Sequence, residues 1–266
     1  MAALHLRRHA LDAPEAVGAV QALAGLGLAG DIQQHALSPR QLLIAGAPAY
    51  ARLGLPANAL RENLLLDIDV GSAFESSGDS AGDGVIAGAG DSVVGGAGDG
   101  ADDKPTHSAV LSSGRLLSVG AGAIIQLTFA CEPCGRLNLR QAGLSRTIGF
   151  QRGMLARVLA GGAIVAGDPV FLLPQCMPSW SNAWRARVET VLARVPHGMV
   201  VEYRQLALLA GVALTYCRVF PRVARELGLA HVAVPLRSDN PLPRWDGAGL
   251  FAQPAHPGPA TPAPAP

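Results

Sequence analysis

Two cysteines three positions apart form the densest piece of potential chemistry in this sequence. The stretch CEPCGRL places Cys131 and Cys134 on either side of an acid and a proline. Such a pair can be half of a zinc site, a redox pair, or one reactive thiol beside a structural one. A structural zinc site needs four nitrogen or sulfur ligands, and the other two cysteines, Cys176 and Cys217, stand alone. Zinc is therefore not expected.

A thioredoxin-like redox pair is also disfavoured. That site lies at a helix start within a βαβ pattern, whereas here Gly135 follows the pair and no such pattern surrounds it. Two interpretations of the first cysteine stay open. Cys131 either resolves a persulfide formed on Cys134 or is a small buried strand residue.

Arginine is the expected neighbour of a working thiol. Thiolate is the nucleophilic form, and a guanidinium both lowers a thiol pKa and binds anionic oxygen through two donors. The candidates are Arg40, Arg61, Arg136 and Arg152, although each alone is also explained as a surface charge. The single lysine, Lys104, lies in a low-complexity stretch, so pyridoxal phosphate held as a lysine aldimine is not expected.

The 266 residues are enough for one large domain or two small ones, and the net charge of +1 hides an acidic segment. Residues 71–107 carry seven acids and one lysine, a balance of −6, with ten glycines. This composition predicts a disordered insertion, since strand-like sequence lies on both sides of it; an interdomain linker is the alternative. A second Pro/Ala-rich segment, 252–266, is predicted to be a disordered tail.

The chain divides into a strand-rich part and a helical part. Apolar and β-branched runs split by glycine predict strands through 1–176, whereas helical spacing predicts a helix over 184–195, then a helix ending at Gly211 and another ending at Gly228. The N-terminus lacks a signal-peptide apolar run, and no stretch is long and apolar enough for a membrane span. The sequence thus predicts a cytoplasmic, reduced α+β protein with no membrane association.

Five polar clusters in the strand-rich part together resemble the MOSC domain, the sulfur-carrier module of molybdenum-cofactor sulfurases. They are GLAGD (27–31), RQLLI (40–44), RENLL (61–65), CEPC, and RGMLARVLAGGAIVAGDPV from Arg152 onward. The resemblance implies a β-rich, barrel-like fold. It also implies that Cys134, which follows a proline, carries sulfane sulfur or ligates molybdenum.

The same resemblance implies a molybdopterin-type cofactor. Its phosphate suits Gly-rich turns with arginine, here Arg40, Arg61 and Arg152. Glu62 and Asn63 would hydrogen-bond the pterin edges, although turn-making and capping explain that pair equally well. Asp31, which follows a glycine, is interpreted as a turn residue.

The helical part, 184–251, resembles the DNA-binding domain of alkylguanine-DNA alkyltransferases and the alkyltransferase-like proteins. The matching positions are Pro196, Gly198, Val201, Tyr203, Leu206, Ala207, Gly211 and Arg218. The resemblance implies a winged helix in which Tyr203 and Arg218 assist nucleotide flipping. Arg222 and Arg225 follow Arg218 at near-helical spacing, a pattern that suits phosphate contacts as well as a solvated face.

One departure from this family limits the chemistry. Leu236 stands where the alkyl-acceptor cysteine is expected, and leucine has no nucleophile, so alkyl transfer is not expected there. Cys217 is not a substitute by position and is expected to pack within a helix. The module therefore either binds damaged DNA without repairing it or serves to pack on, or regulate, the strand-rich part.

Together these patterns predict a MOSC-like domain over 1–176 followed by a winged-helix domain over 179–251. The leading hypothesis is a protein that binds molybdenum cofactor or carries sulfur on Cys134, with molybdopterin or a sulfur-donor protein as partner. One alternative is a DNA-binding or alkylation-damage sensor with duplex DNA as partner. Another is a molybdenum-dependent reductase of N-oxygenated compounds.

Overall fold

The structure, a computed structural model, describes residues 1–10, 12–68 and 111–251. The predicted insertion at 71–107 and the predicted tail at 252–266 lie outside these ranges. No helix in the described part of the chain is both long and apolar enough to cross a bilayer.

Strands dominate the first part of the chain. Those before the gap are β1 (Ala3–Leu6), β2 (Glu15–Ala16), β3 (Ala19–Leu23), β4 (Gly27–Leu28), β5 (Leu42–Gly46) and β6 (Leu64–Leu66). Those after it are β7 (Arg115–Val119), β8 (Ala123–Ala130), β9 (Met154–Ala160), β10 (Gly162–Val165) and β11 (Val170–Cys176). Eight of these strands form one sheet in the order β11-β7-β8-β9-β5-β6-β1-β2, and β10-β3-β4 form a second sheet.

The large sheet is built around β8, which pairs antiparallel with β7 and with β9. From Ile125 to Ala130 every residue of β8 is buried, as expected for a strand covered on both faces. β5 continues the sheet by pairing antiparallel with β9 and parallel with β6. Cys134 follows the end of β8, Arg152 precedes the start of β9 and Arg61 precedes the start of β6, so the sheet positions the candidate site.

Two short helices and two 3-10 turns cover one end of this sheet. Helix α1 (Ala47–Leu53) directly follows β5, and α2 (Leu144–Thr147) lies between the 3-10 segments Gly135–Leu139 and Gly149–Arg152. Their buried residues, with Ala45 and Leu60, form a small core of their own.

Residues 179–251, called here the helical unit, contain α3 (Trp184–Leu192), α4 (Tyr203–Leu209) and α5 (Phe220–Glu226). They also contain the 3-10 segments Leu214–Arg218 and Ala230–Val232 and a parallel pair, β12 (Val201–Glu202) with β13 (Ala233–Val234). Trp180 packs both against the core of this unit and against the buried cluster of Leu43, Phe129, Cys131 and Leu155. The helical unit is therefore packed against the large sheet.

The α+β prediction is confirmed, and the helix starting at Trp184 and the helix ending near Gly211 are present. The third predicted helix is present and ends just before Gly228, but it begins only at Phe220, because the residues before it form a separate 3-10 segment ending at Arg218. A continuous helix would need a hydrogen bond from residue 221 to Cys217, and Pro221 has no N–H to donate. The described strands form an open order, so closure of the sheet into a barrel stays a prediction. The winged-helix assignment and the domain bounds also stay predictions.

Candidate functional site

The CEPC loop begins where β8 ends. Cys131 is buried, and its backbone N–H donates to the carbonyl of Gly153 at 2.8 Å, which ties the loop to the start of β9. Cys134 has extended backbone angles (φ −138°, ψ 159°) immediately before the 3-10 segment Gly135–Leu139, and its carbonyl accepts from Leu137. The loop thus separates a buried thiol from a half-buried one. All four cysteines of the chain are free thiols.

Arg152 hydrogen-bonds to the Cys134 thiol. One guanidinium nitrogen, Nη1, lies 3.3 Å from Cys134 Sγ and also donates to the carbonyl of Glu132 at 2.6 Å. Only 7% of Arg152 is exposed, and its Nε is buried without a hydrogen-bond partner. Gly153 follows with φ 108°, where a Cβ would collide with the Ile44 carbonyl, so only glycine fits this close approach to β5.

These surroundings favour the thiolate of Cys134. Burial alone raises the pKa of this thiol. The positive charge of Arg152, its hydrogen bond, and the backbone N–H groups of Arg136 and Leu137 lower the pKa by more, so the pKa of Cys134 lies below the ordinary thiol value. A lowered pKa increases the fraction of the nucleophilic, metal-binding form at neutral pH.

Cys134 and Cys131 line a cleft of about 270 Å³, called here the Cys134 cleft. Among the described residues, no acidic side chain lines this cleft, and five arginines do: Arg7, Arg40, Arg61, Arg136 and Arg152. Arg61 is 5% exposed and adopts a positive φ of 62°, a backbone conformation uncommon outside glycine that persists where the surroundings enforce it.

The charge of these arginines is mostly uncompensated. Arg7 pairs with Asp31 at 3.2 Å. Arg61 and Arg136 each donate to the carbonyl of Ala10 at 3.1 Å. Within the ranges that the structure describes, none of the cleft arginines other than Arg7 has a carboxylate partner.

The neighbouring cations change the pKa of Arg61. Burial lowers the pKa of its guanidinium, and the neighbouring positive charges of Arg7 and Arg136 lower it further. An anion bound in the cleft would relieve this repulsion and would accept charge-assisted hydrogen bonds. The Cys134 cleft therefore has the positive charge and the N–H donors that suit an anion.

Glu62 and Asn63 lie behind the cleft rather than in it. Asn63 is fully buried, accepts from Arg7 at 2.7 Å and donates to Asp31 at 2.6 Å. Glu62 is 1% exposed and accepts from the Tyr50 hydroxyl at 2.6 Å. The side chains of Glu62 and Asn63 are not accessible to a ligand here, so binding of pterin edges by this pair stays a prediction. Asn63 instead holds Arg7 in place.

Asp31 is a turn residue, as predicted, and it also binds Arg7 and Asn63. Its Oδ1 accepts from the backbone of Gln33 at 2.8 Å, as a turn residue would. Its carboxylate also accepts from the backbone and side chain of Arg7 and from Asn63. The residue is 3% exposed, so it neutralises Arg7 from the buried side.

The helical unit contacts the CEPC loop through Arg187 of α3. This side chain is fully buried and pairs with Glu132, the acid between the two cysteines, at 2.7 Å. It also donates to the carbonyls of Ala210, Ser181 and Asn182 and lies over the Phe129 ring at 3.8 Å. The loop that presents Cys134 is thus held from outside the strand-rich part.

A second contact joins the two parts at the cleft itself. Arg40 donates to the carbonyl of Gly211 at 2.9 Å, and Ala213 lines the cleft. Gly211 has φ 63°, and a Cβ there would come within 2.6 Å of Phe129 and 2.8 Å of Pro39. The glycine allows the end of α4 to approach the large sheet.

The residues proposed to contact DNA lie elsewhere in the helical unit. Tyr203 begins α4 and packs edge-on against Phe220 at 6.2 Å. Arg218 is exposed, and Arg222 pairs with Glu226 at 2.7 Å. Arg218 ends a 3-10 segment and Arg222 lies in the separate helix α5, so the two do not share one helix as the spacing had suggested. Their role toward DNA stays a prediction.

The two remaining positions singled out in this unit are Cys217 and Leu236. Cys217 lies in the 3-10 segment rather than in a helix and contacts the Tyr203 carbonyl at 3.4 Å. Burial raises the pKa of Cys217, the reverse of the shift at Cys134. Leu236 is 63% exposed.

Sequence reasoning missed Arg7 and Arg187. Arg7 follows β1 in the pair RR, and Arg187 lies within a helix that carries other charged residues. For Arg187 a signal was present, because its position continues the apolar stripe of Trp184, Val188 and Val191. A charged residue on such a stripe requires a partner across the interface.

No protein-family model and no curated protein matches this chain. Among solved structures, YiiM from Escherichia coli is 18% identical with a TM-score of 0.43, over 85% of this chain and 92% of that chain. YiiM from Geobacillus stearothermophilus is 15% identical with a TM-score of 0.44, over 83% and 96%. The YuaD protein from Bacillus subtilis is 14% identical with a TM-score of 0.41, over 63% and 91%.

Proposed function

We propose that Cys134 is the working thiolate of an anion-binding site, where it ligates a molybdenum cofactor or carries sulfane sulfur. One observation supports this most directly. The Cys134 thiol lies 3.3 Å from a buried arginine in a cleft lined by five arginines and, among the described residues, by no acid. The resemblance of the strand-rich part to the MOSC domain predicts both functions.

The residues of the cleft fit a molybdenum cofactor. Cys134 would provide a soft sulfur ligand, and Arg40, Arg61 and Arg136 would bind phosphate oxygens. When bound, such a cofactor supplies a redox-active metal. Arg152 would keep Cys134 ionised, and Asn63 with Asp31 would hold Arg7 toward the cleft. A reductase of N-oxygenated compounds would use this same cleft.

The residues also fit a sulfur carrier. A carrier needs a nucleophilic thiolate to receive sulfur and a positive environment to hold the resulting persulfide anion. Arg152 would stabilise both the thiolate and the persulfide, since its guanidinium lies at the sulfur and is itself held by the Glu132 carbonyl. Cys131 lines the same cleft but is buried, so its assignment as a bystander remains part of the proposal.

Native purification followed by measurement of molybdenum, pterin fluorescence and cyanolysable sulfur tests the proposal. We expect at least one of these in the wild-type protein, its loss in Cys134→Ala and its retention in Cys131→Ala. Equal loss in both variants would point to a cysteine pair instead. A wild-type protein free of all three would contradict the proposal and favour the DNA-binding alternative. That alternative is tested by a gel shift on alkylated duplex, with Arg218→Ala as the variant.

A further inference from the structure

The Cys134 cleft is small and strongly cationic. Its volume of about 270 Å³ is below the roughly 300–1,000 Å³ usual for pockets that bind drug-sized molecules, so it would enclose a small anion whole but only part of a larger molecule such as a molybdenum cofactor. Apart from the arginines and the two thiols, few side chains can contact a ligand, among them Ile32, Leu43 and Leu155. This lining suits a compact anion that is mostly oxygen, bound directly beside a thiol.

Three properties of Arg152 and the placement of two other arginines bring anion binding and thiol chemistry together. Arg152 is more than nine-tenths buried, lies at the Cys134 sulfur, and retains a buried Nε with no partner in the described structure. Arg136 and Arg61 converge on the same carbonyl, that of Ala10, which places their guanidinium groups side by side. Paired guanidinium groups match the oxygens of a tetrahedral oxoanion.

We propose that the cleft accepts a small sulfur oxoanion carrying a sulfane sulfur, the thiosulfate type, as the direct sulfur donor to Cys134. This inference rests on the proposed carrier function and names the class of donor. A donor of this kind brings its sulfur without a second protein, and its sulfonate end matches the arginines while its sulfane end meets the thiol.

The transfer balances without an added oxidant or reductant. The Cys134 thiolate attacks the sulfane sulfur and forms a new sulfur–sulfur bond. The bond between the two sulfurs of the donor breaks, and its electron pair leaves with sulfite. The products are a persulfide anion on Cys134 and one sulfite dianion, so three negative charges are present on each side. Arg136 and Arg61 would bind the departing oxygens, and Arg152 would hold the persulfide.

Incubation of the reduced full-length protein with thiosulfate labelled in its outer sulfur tests this step. Sulfite release and the mass of the Cys134 peptide are followed together. We expect one labelled sulfur on Cys134 for each sulfite released, and no release from Cys134→Ala. Arg136→Gln should slow loading by about tenfold at low thiosulfate, since a hydrogen bond from a charged donor contributes at least that much to binding.

Two controls separate this inference from the proposed function. Arg222→Gln removes an exposed arginine far from the cleft lining and should load at the wild-type rate. Cysteine persulfide is a second donor that carries no sulfonate. If cysteine persulfide loads Cys134 and thiosulfate does not, the inference fails while the carrier function stands. If neither donor loads Cys134, both fail. An unchanged loading rate in Arg136→Gln would also overturn the inference.

Discussion

Arginines in the two parts of the molecule differ in how their charge is balanced. In the helical unit, Arg185 and Arg222 both pair with Glu226, and Arg244 pairs with Glu202. In the cleft, Arg152 and Arg136 form no ion pair among the described residues, and their hydrogen bonds go to a thiol and to backbone carbonyls. These three arginines of the helical unit are each paired with a carboxylate, whereas Arg152 and Arg136 are not, and we propose that an anion binds beside the unpaired ones.

Arg187 belongs to the helical unit by sequence and to the cleft by contact. Its pairing with Glu132 links α3 to the segment between the two cysteines. This contact supports the interpretation of the helical unit as a module that packs on the strand-rich part. Changing Arg187 should therefore affect both regions, whereas changing Arg222 should affect neither.

The largest effect is expected from Arg187→Met. The variant leaves the buried carbonyl of Ala210, the partly buried carbonyls of Ser181 and Asn182 and the Glu132 carboxylate without their donor, and should lower the free energy of unfolding by about 3 kcal/mol. Urea denaturation measures this. Arg185→Met, an exposed neighbour on the same helix, should change it by less than about 1 kcal/mol. Similar losses in both variants would contradict the structural role of Arg187.

A smaller loss is expected from Gly211→Ala. The substitution places a Cβ against Phe129 and Pro39 at a positive φ, which should destabilise the protein by about 2 kcal/mol. Gly228→Ala is the matched control, because Gly228 also has a positive φ (72°) but open space around it. It should lose only about 1 kcal/mol. If the control loses as much, the packing of α4 on the sheet is looser than described.

Arg152→Gln should alter the pH dependence of Cys134 alkylation without abolishing it. In the wild type the thiolate is present above the lowered pKa and is lost as the pH falls through it. Removal of the cation raises that pKa, so the alkylation profile should move to higher pH. Arg136→Gln keeps the backbone N–H that also stabilises the thiolate and should move the profile less. Thermal melts of both variants establish that they are folded, and an unmoved profile in Arg152→Gln would contradict the assignment.

The smallest effect is expected from Arg222→Gln. Arg222 is 80% exposed in its side chain and its pair with Glu226 spans one helical turn. Solvent and salt screen such an exposed pair, so it contributes little to stability. Neither stability nor Cys134 alkylation should change measurably, and a change in alkylation would mean that charge in the helical unit acts at the cleft.

Local patterns in the sequence predicted the elements but not all of their contacts. Strand β8, helix α3 and the end of α4 follow from apolar spacing and glycine positions, which act over a few residues. The Cys134–Arg152 contact was predicted only as a candidate, because it joins residues 18 positions apart across a loop. The burial of Asn63 depends on strand pairing that no local pattern specifies. Pro221 was visible, and its effect on the third helix could have been predicted from the missing N–H.

Protection of Cys134 by an inorganic anion tests the central claim most directly. Full-length protein is alkylated with iodoacetamide at increasing sulfate and constant ionic strength, and each cysteine is followed by peptide mass. We expect saturable protection of Cys134 with no change at Cys217, which lies in the helical unit and does not line the cleft. Equal rates at Cys134 with and without sulfate, or equal protection of both cysteines, would contradict an anion site built around Cys134.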